Sequence, residues 1–237
     1  VPVAETLQVL RKSMETGAPI IVEKPIAFRS EDLELIRHKK YPVIVGYNRR
    51  FYRTVQRARD LASASSSVIA EMTFPESVMA PTAKSGDPQY LRPYFSNSVH
   101  GLDMLRFIFG DLEIQSVQRI TNENDYVLGF VALLSSDNGS IIQFVANWQT
   151  PTNTRFTLDQ KGSRLELLPF EDAKIYDRMM VVEPTDETPI RTYKPKVSEQ
   201  IALEKWDYDF KPGFISQAQT MAALIQGHDT FPAATLE

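Results

Sequence analysis

Short strand-like runs fill the chain from Glu113 to about Tyr193 and give that stretch the texture of β-sheet. The runs lie at 113–121, 126–135, 140–149, 154–160 and 163–168, with shorter ones near 173–183 and 189–193. Asp137-Asn138-Gly139 and Lys161-Gly162 separate consecutive runs, and residues that tolerate positive φ close tight hairpins there. Strands joined so tightly are antiparallel neighbours. In the 127–134 run Val127, Val131 and Leu133 fall on one face and Leu128, Phe130 and Leu134 on the other, so both faces need cover. Helices can supply one cover and a second subunit the other.

The first part of the chain has a different rhythm. Ala4, Leu7, Leu10 and Met14 recur at helical spacing, with Gly17 placed as a stop. Ile20-Ile21-Val22 then reads as a buried strand that ends at Glu23-Lys24-Pro25. Ser30 followed by Glu31-Asp32 is an N-cap with acids in the first turn, and predicts a helix to about Lys39. Val43-Ile44-Val45 is a second apolar strand, ending in Gly46-Tyr47-Asn48-Arg49-Arg50-Phe51. Strand, helix, strand, helix is the pattern of a parallel sheet. A basic helix from about Arg49 to Ala62 and a small-residue loop at 63–67 follow, which places a domain boundary near Asn48, between segments 1–47 and 48–237.

Residues 68–74 are strand-like, and a long irregular loop at 75–96 holds Lys84, Tyr90, Arg92 and Tyr94. Aromatic and Arg side chains can stack on a sugar or grip a phosphate or carboxylate, and can equally cover the edge of a core. Ser96-Asn97-Ser98 supplies N-cap candidates for a helix closed by Gly110, with Val99, Leu102, Leu105 and Ile108 or Phe109 as its buried stripe. Pro212-Gly213-Phe214 opens a last helix through Ile225.

Composition narrows the function. Among 237 residues, 43% are hydrophobic, the net charge is −4, and no dense Lys/Arg stripe occurs, which argues against nucleic acid and anionic membrane as partners. Small molecules are the expected partners. The absence of cysteine removes thiolate chemistry and Cys-based metal sites, while His38, His100 and His228 make no zinc spacing, so no metal is expected. A reducing cytoplasm fits this composition, and no apolar run approaches a membrane span.

Two places carry candidate chemistry. Lys24 stands at a strand end beside a rigid proline, the edge where α/β sheets keep their ligands, and a lysine partly buried there can serve as a general acid or base. His100 and Asp103 lie three apart on one helix, where the carboxylate can fix the imidazole tautomer. Both admit a structural alternative: a surface lysine and a satisfied core histidine.

Taken together, Val22-Glu23-Lys24-Pro25, Val45-Gly46-Tyr47-Asn48-Arg49-Arg50-Phe51, Val99-His100-Gly101-Leu102-Asp103 and the helix from Pro212 to Gly227 resemble the Gfo/Idh/MocA oxidoreductase family in order and spacing. The resemblance implies an α+β fold: a large, mostly antiparallel sheet with helices on one face, preceded by the remnant βαβ of a Rossmann-like domain. It implies an NAD- or NADP-dependent dehydrogenase acting on a secondary alcohol of a sugar, cyclitol or nucleotide-sugar. Segment 1–47 would then be the end of the cofactor domain, and 48–237 a substrate-binding domain that forms a homodimer or homotetramer through the open sheet face. Lys24 and His100 would be catalytic, and Glu23, Lys24 and Pro25 would meet the cofactor. Tyr47, Asn48, Arg92, Tyr94, Asn97 and Asp103 would meet the substrate.

The sequence departs from the family pattern twice. No two glycines stand two positions apart, so the chain contains no G-x-G-x-x-G phosphate cradle and is expected, alone, to bind NAD(H) poorly and to be inactive. Ser96 stands where the family commonly has an Asp, four residues before the histidine, and a serine cannot replace a carboxylate as base. The rival expectation is a non-catalytic sugar-binding or assembly module of the same fold.

Overall fold

A computed structural model describes residues 3–27, 29–34, 36, 42–75, 98–123, 127–147 and 150–236. They form two compact units: Val1–Tyr52, Ser77–Leu105 and Glu204–Glu237 in the first, Arg53–Glu76 and Arg106–Leu203 in the second.

In the first unit β1 (Ile20–Val22) and β2 (Val43–Val45) pair in parallel, with Val22 opposite Val45. All of Val43–Val45 is buried, as expected of a strand covered on both faces. Helix α1 (Val3–Met14) sets Leu10 and Met14 into a core with Val22, Ile26, Val43 and Val45, and Gly17 closes it at φ 71°. Helix α2 is a single turn (Ser30–Leu33) whose N-cap is Arg29 and not Ser30. Ile36 continues it with a bond to the Leu33 carbonyl three residues back, the tighter 3₁₀ pattern, and 37–39 lie outside the described residues.

The expected helix from Arg49 is two elements. A 3₁₀ turn (Asn48–Phe51) ends at Tyr52, which is extended at ψ 127°, and α3 (Arg53–Ser63) starts afresh at the unit boundary. Helix α4 runs over Ser98–Phe109. Near the C-terminus come α5 (Trp206–Asp209) and α6 (Phe214–Ile225), the latter entered through Gly213. The last residues return to the parallel pair, where the Val45 N–H donates to the Ala234 carbonyl at 2.9 Å.

The second unit is built on eight described strands: β3 (Ile69–Pro75), β4 (Leu112–Thr121), β5 (Val127–Ser136), β6 (Ile141–Asn147), β7 (Arg155–Gln160), β8 (Ser163–Leu167), β9 (Ala173–Val182) and β10 (Thr192–Ile201). Their order is β10-β9-β8-β7-β3-β6-β5-β4. All pairings are antiparallel except β3 with β6, because β3 enters the sheet from the helical part of the chain and lies between two strands that come much later. Met72, Phe74, Leu134, Ile142, Phe144, Phe156, Leu158, Leu165 and Leu167 point to the covered face and are 5% exposed or less. Each such burial contributes roughly 1.5–3 kcal/mol. Helix α3 adds Val55, Ala58 and Ala62 to this core, and its Thr54 hydroxyl donates to the Phe170 carbonyl at 2.5 Å.

The last strand departs from the sequence expectation. β10 covers 192–201, most of which reads as polar connection; it is exposed along nearly its whole length, so burial imposes no alternation on it. Pro195 fits there because β10 is a sheet edge.

Candidate active site

The chemistry-bearing residues of the first unit gather at the C-terminal ends of the parallel pair. After Val22 the chain presents exposed Glu23, half-buried Lys24 and buried Pro25, the Lys24–Pro25 bond being cis. After Val45, Gly46 donates its N–H to the Val22 carbonyl at 2.8 Å and packs against the Glu23 side chain, so the two strand ends are tied together. Tyr47 and the 3₁₀ turn follow.

Helix α4 brings His100 to Tyr47. Its buried side chains include His100, Met104, Leu105 and Ile108; Leu105 and Ile108 belong to the expected stripe, while Val99 and Leu102 are only half-buried. The imidazole is therefore interior, 5% exposed, and its ring meets the Tyr47 ring edge-on at 5.8 Å. Burial lowers the His100 pKa to about 2, helped by the positive charges of Arg49, Lys24 and Lys211. The ring is thus neutral at any working pH, and its buried Nδ1 has no hydrogen-bond partner among the described residues.

The expected service of Asp103 to His100 is not what the structure shows. Arg50 takes that carboxylate in a fork, with Nε at 2.9 and 3.1 Å and Nη2 at 2.5 Å from its oxygens. A planar guanidinium satisfies both carboxylate oxygens at once, which an imidazole three residues away cannot do. Arg50 also stands 5.9 Å from the Tyr47 ring centroid. Burial, followed by the Asp103 charge, raises the Tyr47 pKa to about 12, so its hydroxyl keeps its proton.

Asn48 is drawn into the scaffold: it is 4% exposed and its Nδ2 donates to the Pro212 carbonyl at 2.8 Å. Gln217 of α6 likewise donates to the Val45 carbonyl at 3.2 Å, and Asp207 accepts the Gly213 N–H at 2.8 Å. Sequence reasoning missed Arg50, Asp207 and Gln217; buried polar residues on an otherwise apolar helix, as Gln217 is on α6, are the signal that could have found one of them. Arg92, Tyr94 and Asn97, like Lys84, Tyr90 and Ser96, lie outside the described residues. Among the described residues no group of three or more His, Asp or Glu side chains is placed to hold a metal, and no helix is long and apolar enough to cross a membrane.

The His100 environment has a measurable consequence. The unfolded imidazole takes up a proton near pH 6.5 and the folded one does so only near pH 2, so in that window the unfolded state binds more protons and stability falls as the pH falls. Each pH unit below about 6 should remove on the order of 1.4 kcal/mol through this residue. In His100→Gln, urea unfolding at pH 7 and pH 4.5 is expected to show a loss smaller by about 2 kcal/mol than in the parent. Equal losses would contradict the buried, neutral assignment.

Neither a protein-family model nor a curated protein matches the sequence. Solved structures do match its fold. A dehydrogenase (MviM) from Clostridium difficile is 15% identical with a TM-score of 0.69, over 94% of this chain and 68% of that one. An oxidoreductase from Agrobacterium radiobacter, solved with NAD+, L-tartaric acid and magnesium, is 16% identical with a TM-score of 0.69, over 98% and 70%. UDP-N-acetylglucosamine 3-dehydrogenase from Acidithiobacillus ferrooxidans is 12% identical with a TM-score of 0.70, over 97% and 69%. The fold is that of the Gfo/Idh/MocA-type oxidoreductases.

Proposed function

We propose that a chain with this fold serves a nicotinamide-dependent oxidoreductase, which oxidises a secondary alcohol of a sugar, cyclitol or nucleotide-sugar. The observation that carries the proposal is that Lys24, at the ligand edge of a parallel strand pair, bears with its charge on a buried His100 imidazole whose Nδ1 has no partner among the described residues. A buried polar atom without a partner is what a site built for a ligand hydroxyl leaves behind. The residues fit a cofactor at this edge: Glu23, Lys24 and Pro25 would border it, with segment 1–47 as the end of the cofactor domain and 48–237 as the substrate domain. When bound, NAD or NADP supplies the hydride acceptor.

The chain's own residues handle the proton and the orientation. Lys24, once its ammonium has released a proton to solvent, takes the hydroxyl proton as general base in its neutral amine form. His100, neutral at working pH, accepts or donates one hydrogen bond to the same oxygen and cannot compete as a cation. Tyr47 walls the imidazole and presents a phenol that stays protonated. Asp103 acts at one remove, holding Arg50 beside Tyr47. The reaction is tested by following reduced nicotinamide formation by the protein with a panel of polyols, and a reducing cytoplasm would suit it.

The uncovered face of the large sheet points to self-association into a homodimer or homotetramer. Ile69 pairs with Ile141 on it at 58 and 50% exposure, and Leu133 and Val131 lie two residues apart on the next strand, opposite Gln143 and Val145, at 42 and 40%. Exposed apolar side chains gathered on one sheet face suit an interface. Sedimentation is expected to show a dimer or tetramer that Leu133→Asp converts to monomer. A parent that sediments only as monomer would remove this part of the proposal.

A further inference from the structure

Beyond Tyr176, its last partner on β8, strand β9 pairs among the described residues with β10 alone. Five successive pairs, Arg178 with Lys196, Met179 with Pro195, Met180 with Lys194, Val181 with Tyr193 and Val182 with Thr192, form a two-stranded arm. It is about 15 Å long. Register shifts on either side of Val197 set it off from the sheet. Every residue of β9 from Asp177 onward is exposed. A two-stranded ribbon covered on neither side is marginal in water, so cover on one side would stabilise this one.

Directly opposite residues of a ladder share a face, so the two sides of the arm differ. One side is apolar and aromatic: Met179, Val181 and Tyr193 are 57, 51 and 62% exposed, beside exposed Pro195. The other side sets Arg178 directly opposite Lys196, with Lys194 next along it. Like charges placed in this way repel, and an acid brought to them relieves the repulsion. The acids of the arm stand at its far end, as Glu183, Asp186 and Glu187 of the turn, where Arg191 holds Glu183 at 2.9 Å.

We propose that the arm docks on the arm of a second copy of this chain, the two lying antiparallel with their apolar sides in contact about a two-fold axis. An axis at the level of Met180 sets Val181 of each copy on Met179 of the other, and Tyr193 on Pro195. The same operation brings each acidic turn level with the other copy's Arg178 and Lys196, whose long stems reach round the edge of a ribbon only two strands wide. Ends of opposite sign make the arm complementary to itself, whereas its acidic turn repels a nucleic acid or an anionic membrane. The contact is separate from the sheet face that carries Leu133, and it does not depend on the dehydrogenase proposal.

The chain has no cysteine, so introduced pairs report the contact without background. The test is oxidation of Met179→Cys/Val181→Cys with diamide, followed on non-reducing gels. Side chains two apart on one strand stand about 6–7 Å from each other, too far to bridge, so a disulfide there joins two copies. A covalent dimer is expected to form at least tenfold faster than from Met180→Cys/Val182→Cys, whose cysteines lie on the other side of the arm. Adding Arg178→Glu/Lys196→Glu is expected to slow trapping at least tenfold, and adding Asp186→Lys/Glu187→Lys as well to restore it. Every substituted side chain is exposed or half-buried, so the fold is kept. Equal rates for the two cysteine pairs, or no restoration by the reversed turn, would overturn the antiparallel contact. Trapping that Leu133→Asp abolishes would overturn its independence from the sheet face. No covalent dimer from either pair would overturn self-docking and leave the arm to a partner of another kind.

Discussion

Replacing Lys24 by methionine is expected to lower kcat for alcohol oxidation by roughly 10²-fold or more, with little change in nicotinamide binding. Hydride loss from a secondary alcohol requires that the hydroxyl proton leave, and the chain must supply the group that takes it. Lys24 is placed for that by rigid neighbours: a strand paired on one side, buried Pro25 and Ile26 on the other, and the Gly46–Val22 hydrogen bond joining its strand end to the next. Methionine keeps the length and apolar stem of lysine and lacks the amine, so the fold should be kept and only proton transfer lost. Lys161, in the exposed turn between β7 and β8, is the control, and its replacement should leave kcat near the parent value. Turnover by Lys24→Met at close to the parent rate would return Lys24 to a structural role.

Gly213→Ala is expected to be the most damaging small change in the first unit, lowering stability by about 3 kcal/mol or more. Gly213 sits at φ 80°, where a side chain alone costs about 1–2 kcal/mol. The added Cβ would also lie 2.2 Å from the Asn48 carbonyl oxygen and 3.0 Å from its carbon, both backbone atoms that cannot swing away. The loop must shift, and with it the Pro212 carbonyl that accepts Asn48 and the N–H that reaches Asp207. Gly162 and Gly227 separate the two contributions, since their φ values of 79° and 77° are similar but a Cβ added at either would meet nothing within 4 Å. Alanine at either should cost only about 1–2 kcal/mol by chemical denaturation. A Gly213→Ala loss no larger than theirs would contradict the close packing of 213 on Asn48.

What the sequence revealed and what it hid divide along burial. The strands that cover a core announce themselves, as β6 does by burying Ile142, Phe144 and Ala146 in alternation. β10 has no core to cover and no alternation to display, so it becomes visible only once β9 is present to pair with it. The parallel pair and the lysine at its end were legible because an apolar run stopped abruptly at charge and proline. His100 was legible as a candidate, but its setting was not: spacing of three placed Asp103 beside it, and only the approach of Arg50 from the 3₁₀ turn decides which group holds that carboxylate. Long-range ties such as Asn48 to Pro212, 164 residues apart, leave no local pattern at all.

The most direct test of the central claim is formation of reduced nicotinamide from NAD+ or NADP+ by the protein with sugars, cyclitols and nucleotide-sugars as reductants. The expected result is reduction with at least one secondary alcohol of these classes, dependent on Lys24. The contradicting result is an absence of reduction with every member of the panel while one of them still binds, which would leave a binding module on an oxidoreductase fold.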